Sequence, residues 1–189
     1  MILYHTSDRE IINPDIHYGR KNADFGWGFY LTPDREFTYR WAGYNAVVNK
    51  YEFDEEGLDV CVFKRDAAWF EYIFNNRRAK DGLSADVVKG PIANDTIFDT
   101  LGILTSGLLK PEEALSMLEI GPEYVQVAIK TEKAAKKLLF IGSEKIEKAE
   151  ADALKNEQDA YQKEFARKFE RIRGGCGEAC DREELLYQQ

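Results

Sequence analysis

Cysteine is scarce in this 189-residue chain, with only three present. An odd number makes a poor disulfide framework and fits a reducing compartment. Basic excess is also missing: 26 Lys and Arg stand against 34 Asp and Glu, for a net charge of −8. The chain therefore lacks the electrostatic footprint of a nonspecific nucleic-acid binder. An enzyme that modifies RNA or DNA through a small local basic patch stays open. Long hydrophobic runs are absent, and stretches such as Lys137-Leu138-Leu139-Phe140-Ile141 are far too short to span a bilayer. Met1-Ile2-Leu3-Tyr4-His5 has neither the basic flank nor the apolar length of a signal peptide. The expected setting is the cytoplasm, with no membrane partner. No internal repeat is visible.

What remains is ordinary for a globular protein, with 44% hydrophobic and 32% charged residues. The length favours one domain with at most a small appendage, and is enough to bury a sizeable core. Short strands are expected at Ile2 to His5, Gly28 to Thr32, Val47 to Phe53, Val60 to Phe63, Asp86 to Gly90, Tyr124 to Ile129 and Leu138 to Ile141. Residues 8 to 24, rich in Asp, Asn, Pro and Gly, read as loop. Helices are expected from Arg35 to Asn45 behind Asp34, from Ala67 to Arg77, from Ile92 to Leu104, from Leu108 to Glu119 and from Glu132 to Lys137 behind Thr131. Strands and helices mix without regular alternation, so the class is α+β rather than doubly wound α/β. From Ser143 to Arg173 the composition turns charged and Ala-rich, with apolar residues at helical intervals, predicting an amphipathic helical extension. Residues 174 to 189 read as a flexible glycine-rich tail. The domain reading is thus 1–142, 143–173 and 174–189.

Three segments carry chemistry: Leu3-Tyr4-His5-Thr6-Ser7, Asp24-Phe25-Gly26-Trp27-Gly28-Phe29-Tyr30-Leu31-Thr32, and Tyr124-Val125-Gln126-Val127-Ala128-Ile129-Lys130-Thr131. Two glycines one residue apart allow unusual torsions and close backbone approach. The aromatic residue just beyond can present a flat face to a planar ligand. Taken singly, the glycines read as a turn before a core strand, and His5 as a packed strand-end histidine.

Taken together, the first two segments resemble the poly-ADP-ribose-polymerase (PARP) branch of ADP-ribosyltransferases. Its histidine lies in a Leu-x-His-Gly-Ser/Thr strand, matched by Leu3 to Ser7. Its tyrosine lies in Phe-Gly-Lys-Gly-Ile-Tyr, matched by Phe25 to Tyr30. The likeness is greatest to an uncharacterised bacterial family of PARP-like proteins of about this size. Segments shared with that family are Asp24 to Thr32, Trp41-Ala42, the helix from Trp69 to Asn76-Arg77, Asp86 to Asp95, and Gln126 with Thr131-Glu132-Lys133-Ala134. The resemblance covers about residues 1 to 142 and implies a split, twisted β-sheet with flanking helices.

It further implies NAD⁺ as the substrate and a triad of His5, Tyr30 and Gln126. His5 would hydrogen-bond ribose hydroxyls, and Tyr30 would stack on the nicotinamide ring. Thr6 stands where the family has glycine, and its backbone would grip the nicotinamide amide. Gly28, Asp86 and Asp95 complete the expected NAD⁺-binding set. The third triad position, glutamate in PARPs, is Gln126, an acceptor bringing a dipole rather than a charge. On this reading glutamate at 126 would preserve or raise activity. Glu123 is the alternative, with its side chain toward the other face of a regular strand. The implied activity is mono-ADP-ribosylation of a macromolecule, protein or nucleic acid, in the manner of a bacterial toxin or defence effector. A non-catalytic NAD⁺ or ADP-ribose module and an NAD⁺ glycohydrolase are the alternatives. The 143–173 helix would pack or receive a partner such as an antitoxin.

Other residues admit two readings each. Asp86 and Asp95, flanking Gly90-Pro91, either order the site or serve as turn and cap residues. Arg77 either binds phosphate through its planar fork or closes a helix-end salt bridge. His17 sits in a polar loop that could cover the cofactor. Cys176 and Cys180 form half a metal-site pattern without a second ligand pair, so no metal is expected.

Overall fold

A computed structural model of the chain describes residues 1–38, 46–78, 80, 82–92, 111–118, 123–146, 160 and 163–172. Its elements are β1 (Ile2–Ser7), β2 (Phe29–Leu31), α1 (Arg35–Thr38), β3 (Val47–Phe53), β4 (Val60–Val62), α2 (Ala67–Asn76), β5 (Val87–Pro91), α3 (Pro111–Leu118), β6 (Val125–Ile129), α4 (Glu132–Ala135) and β7 (Leu138–Lys145). The class is α+β. The strands form two open sheets, one ordered β1-β3-β7 and the other β2-β6-β5-β4. All neighbours are antiparallel except β4 and β5.

The chain divides into two units, Met1–Ala93 with Glu123–Asn156, and Asn94–Pro122 with Glu157–Gln189. Both sheets lie in the first. Its core joins Leu3, Tyr51, Phe53 and Leu138 of one sheet with Phe29, Leu31, Val87, Val127 and Ile129 of the other. The alternation of side chains along a strand leaves Tyr30, Gln126, Ala128, Val88 and Gly90 on the opposite face of the second sheet. Phe25 and Phe63 close over that face, for a Cβ on Gly90 would come within 3.1 Å of each. The Phe25, Phe63 and Tyr72 rings stack with one another. Helix α2 starts where the Asp66 carboxylate accepts from Trp69 N at 3.0 Å, a side-chain N-cap. Buried Trp69 then donates from Nε1 to the Pro91 carbonyl at 3.0 Å, tying α2 to the end of β5.

In the second unit, Met117 of α3 packs with Phe165, Phe169 and Ile172. Residues 163–172 are helical, within the helix expected over 143–173. The first three residues of that expectation instead extend β7, which runs through Lys145 and past the boundary drawn at 142. Residues 93–104 of the helix expected over Ile92 to Leu104, residues 39–45 of the one over Arg35 to Asn45, and the tail from 174 lie outside the described residues. Among the described residues, no helix is long and apolar enough to cross a membrane.

Candidate functional site

The two sheets meet at one antiparallel bridge, and the sequence around it sets the geometry of the site. Met1 O accepts from Phe53 N at 2.8 Å, so the odd residues of β1 turn their main-chain groups toward β3. Antiparallel pairing alternates direction, so Tyr4 and Thr6 turn theirs the other way. Tyr4 uses both, donating to Thr32 O at 2.8 Å and accepting from Thr32 N at 2.9 Å. The next such pair in a continuous ladder would be Thr6 with Tyr30. Instead the Tyr30 carbonyl is taken by His5 Nδ1 at 2.6 Å. The imidazole therefore replaces a ladder bond where β1 and β2 part, and the pairing direction turns the N–H and C=O of Thr6 toward the β2 side. The Thr6 hydroxyl turns aside to donate to Thr38 O at 2.9 Å, so a side chain is accommodated here without glycine.

A carbonyl can only accept, so His5 Nδ1 carries the proton and Nε2 keeps its lone pair. Burial pushes the imidazole below its ordinary 6.5, against the opposing pull of the Tyr30 carbonyl. His5 is thus a neutral hydrogen-bond acceptor at pH 7. Its ring lies 4.3 Å from that of Phe29, on the core side of the second sheet.

Tyr30 belongs to the other face. Its hydroxyl accepts from Phe25 N at 2.9 Å and donates to Gly26 O at 2.6 Å, clamping the 24–28 turn. Both glycines of the turn are required by the backbone. Gly26 has φ of 76°, which disfavours side chains, and a Cβ on Gly28 would stand 2.7 Å from Ile129 O. Between them Trp27 is 36% exposed, with Lys21 over its ring at 4.5 Å and the His17 ring against it at 4.9 Å.

Gln126, on β6, shares the Tyr30 face and is only 3% exposed. Its Nε2 donates to Asp24 Oδ2 at 3.0 Å. Asp24 Oδ1 receives Arg77 Nε at 2.9 Å and a terminal guanidinium nitrogen at 2.6 Å. The ion pair is well buried, with side-chain exposures of 8% for Arg77 and 13% for Asp24. Asn76 Nδ2 adds a bond to Asp24 O at 3.0 Å. The loop before β2, the end of α2 and the middle of β6 thus converge on one carboxylate. The sequence reading missed Asp24. A clue was available: an acid opening the glycine turn, and a cation closing the helix that carries Asn76.

Comparison with known families matches the chain to the family described as protein of unknown function (DUF3990), over residues 1–140. The chain belongs to this family. No curated protein and no solved structure matches it. The DUF3990 span includes both sheets except for the last residues of β7. It also includes His5, Thr6, Asp24, Gly28, Tyr30, Arg77, Asp86, Asp95 and Gln126.

The remaining candidates of this DUF3990 chain divide clearly. Arg77 closes the salt bridge to Asp24. Asp86 accepts from Asp59 N at 3.0 Å, Thr131 Oγ1 at 2.7 Å and Lys133 Nζ at 2.9 Å. Thr131 itself caps α4. Asp86 therefore ties together the starts of β4, β5 and α4 and is no part of the Tyr30–Gln126 cluster. Asp95, Cys176 and Cys180 lie outside the described residues. His17 is exposed, 3.8 Å from Glu132. Glu123 is exposed and precedes β6. Among the described residues no group of three or more His, Cys, Asp and Glu could hold a metal.

The donors around Asp86, led by Asp59 N and Lys133, hold its pKa at about 2. A carboxyl whose folded pKa lies below its unfolded value stabilises the fold above the unfolded value and loses that effect as pH falls through the folded one. Asp86→Asn should therefore melt lower than the native protein at pH 7. The difference should close between about pH 4 and pH 2. Thermal unfolding followed across that range checks it, and a gap that stays constant with pH contradicts the assignment.

Proposed function

We propose that this protein binds NAD⁺ at the parting of β1 and β2 and is a mono-ADP-ribosyltransferase acting on a macromolecule. The observation that carries the reading is the break in β1–β2 pairing after the Tyr4–Thr32 bridge. Thr6 offers one N–H and one C=O side by side, the complement of a primary carboxamide such as that of nicotinamide. His5 lies on the core side of the second sheet and Tyr30 and Gln126 on the other, so on this reading NAD⁺ crosses the sheet edge at Thr6. His5 Nε2, held as an acceptor by its Nδ1–H bond, suits a ribose hydroxyl. The Tyr30 ring, fixed by its hydroxyl to the glycine turn, suits a planar cationic ring. Gln126 on the same face supplies a carboxamide for the 2′-hydroxyl of the nicotinamide ribose. In the reaction the bond from ribose to nicotinamide breaks with its electron pair leaving on nicotinamide. A nucleophile of the acceptor bonds the same carbon and releases its proton. A macromolecular acceptor is favoured by the exposed Trp27 and Tyr18, with Lys21 and Arg9 over their rings.

A second reading, an NAD⁺- or ADP-ribose-binding module without turnover, is favoured by one observation. Gln126 is neutral and its amide is committed to Asp24, so less charge faces the reacting centre than a glutamate would bring.

Variants of Tyr30 test the shared binding step. Tyr30→Phe keeps the ring and loses the hydroxyl clamp, so NAD⁺ affinity should stay within about threefold. Tyr30→Ala removes the ring and should weaken binding by about 1 kcal/mol or more, roughly fivefold in Kd. Calorimetric titration of folded variants reads this directly. Equal affinity for native protein and Tyr30→Ala sinks the stacking role.

A further inference from the structure

We propose that Asp24 is the positioning residue of this site: it fixes the Gln126 carboxamide with Oε1 turned away from itself, and it makes a neutral side chain obligatory at 126. The catalytic part of this inference rests on the NAD⁺ reading above. The electrostatic part does not.

A carboxylate only accepts hydrogen bonds, so the group of residue 126 that approaches Asp24 Oδ2 must be a donor. Gln126 meets that need with Nε2 at 3.0 Å, which leaves Oε1 as the acceptor available to a ligand hydroxyl. The two oxygens of Asp24 are divided, Oδ1 to Arg77 and Oδ2 to Gln126. Among the described residues, the cluster joins one cation from α2, one anion from the loop and one neutral amide from β6. Among the described residues, two further charged groups beside it have partners of their own. Lys130 Nζ is bound to Phe25 O and the Tyr72 hydroxyl, and Asp34 accepts from Val125 N. Glutamate at 126 would bring a second carboxylate to Asp24 in a site that is nearly closed to water. Two carboxylates sharing such a site cannot both ionise readily, and one is forced to hold a proton. The sequence-based expectation that glutamate at 126 preserves activity is therefore reversed. The substitution needs a compensating change at 24.

That change is Asp24→Asn. In the double variant, the amide introduced at position 24 would donate to the carboxylate introduced at position 126, where Gln126 now donates to Asp24. The bond survives with its polarity reversed, and Arg77 keeps one carboxylate in the cluster. The test is the four-member cycle of native protein, Asp24→Asn, Gln126→Glu and the double variant, read by thermal unfolding at pH 7. Each single change should lower the melting temperature. The double variant should recover most of the loss. The deficit of Gln126→Glu should open as pH rises above about 4.3, the ordinary glutamate value, and close below it. Deficits that simply add in the double variant, or one indifferent to pH, overturn the charge rule. If a single variant fails to fold, the double variant against native protein still decides.

Positioning has its own readout. With its amide partner altered, folded Asp24→Asn should release nicotinamide from saturating NAD⁺ up to about 100-fold more slowly, the scale of a small misplacement at a reacting centre. The double variant should run at the native rate or faster. A double variant that is stable but as slow as Asp24→Asn overturns the positioning role. If the stability cycle behaves as stated and no folded member, native included, binds or cleaves NAD⁺, the NAD⁺ reading fails and the charge rule stands.

Discussion

Arg77→Ala is expected to cost about 3–5 kcal/mol of stability, the scale for breaking a buried ion pair by removing one partner. The Asp24 carboxylate would keep its bond from Gln126 and its carbonyl the bond from Asn76, with the Arg77 guanidinium gone. Domains of this kind hold only about 5–15 kcal/mol in total, so the loss is a large part of the whole. Arg35 provides the control. It pairs with Glu144 at 2.7 Å, but both side chains are nearly half exposed, and water screens such pairs to about 0–1 kcal/mol. Urea unfolding with unchanged slope would give both values. A loss for Arg77→Ala no larger than that for Arg35→Ala contradicts the buried network described here.

Gln126→Ala should slow nicotinamide release by about 100–1,000-fold, the usual loss when one preorganised polar contact to a developing charge is removed. The change also removes the Gln126 donor from Asp24 Oδ2, at about 1–3 kcal/mol. Rates must therefore be compared where both proteins are folded and saturated with NAD⁺. Glu123→Ala is the matched control, since Glu123 is exposed ahead of β6 and should run at the native rate. A native rate for Gln126→Ala with a slow Glu123→Ala would move the role to Glu123.

The parts of this fold legible in the sequence are those set by local pattern. Val47 to Phe53 reads as the strand β3, whose burial alternates from Asn49 onward, and Thr131 caps α4 as a short polar residue does. The glycines at 26 and 28 were legible as a turn, and the structure adds separate reasons for them, a positive φ and a contact with Ile129 O. What pattern could not provide was long-range pairing. That Asp24 would meet Arg77 and Gln126 depends on elements 53 and 102 residues away in the chain. Spacing carries no information about such an encounter. The same limit left Asp86 and Arg77 with two readings each until their partners were placed. The run of β7 through Lys145 was hidden by composition, because Ser143, Glu144 and Lys145 lie on an exposed part of the strand where polarity reads as the start of a solvated helix.

The most direct test is incubation of the purified protein with NAD⁺ labelled in its adenylate half, alone and with cell lysate, protein, RNA or DNA as acceptor. Nicotinamide release and the fate of the label are followed together. The expected result is nicotinamide release coupled to label on a macromolecule, and loss of both with Gln126→Ala. Free labelled ADP-ribose alone would make the protein a glycohydrolase, and intact bound NAD⁺ would make it a binding module. A folded native protein that neither binds NAD⁺ nor releases nicotinamide would contradict the NAD⁺ reading outright.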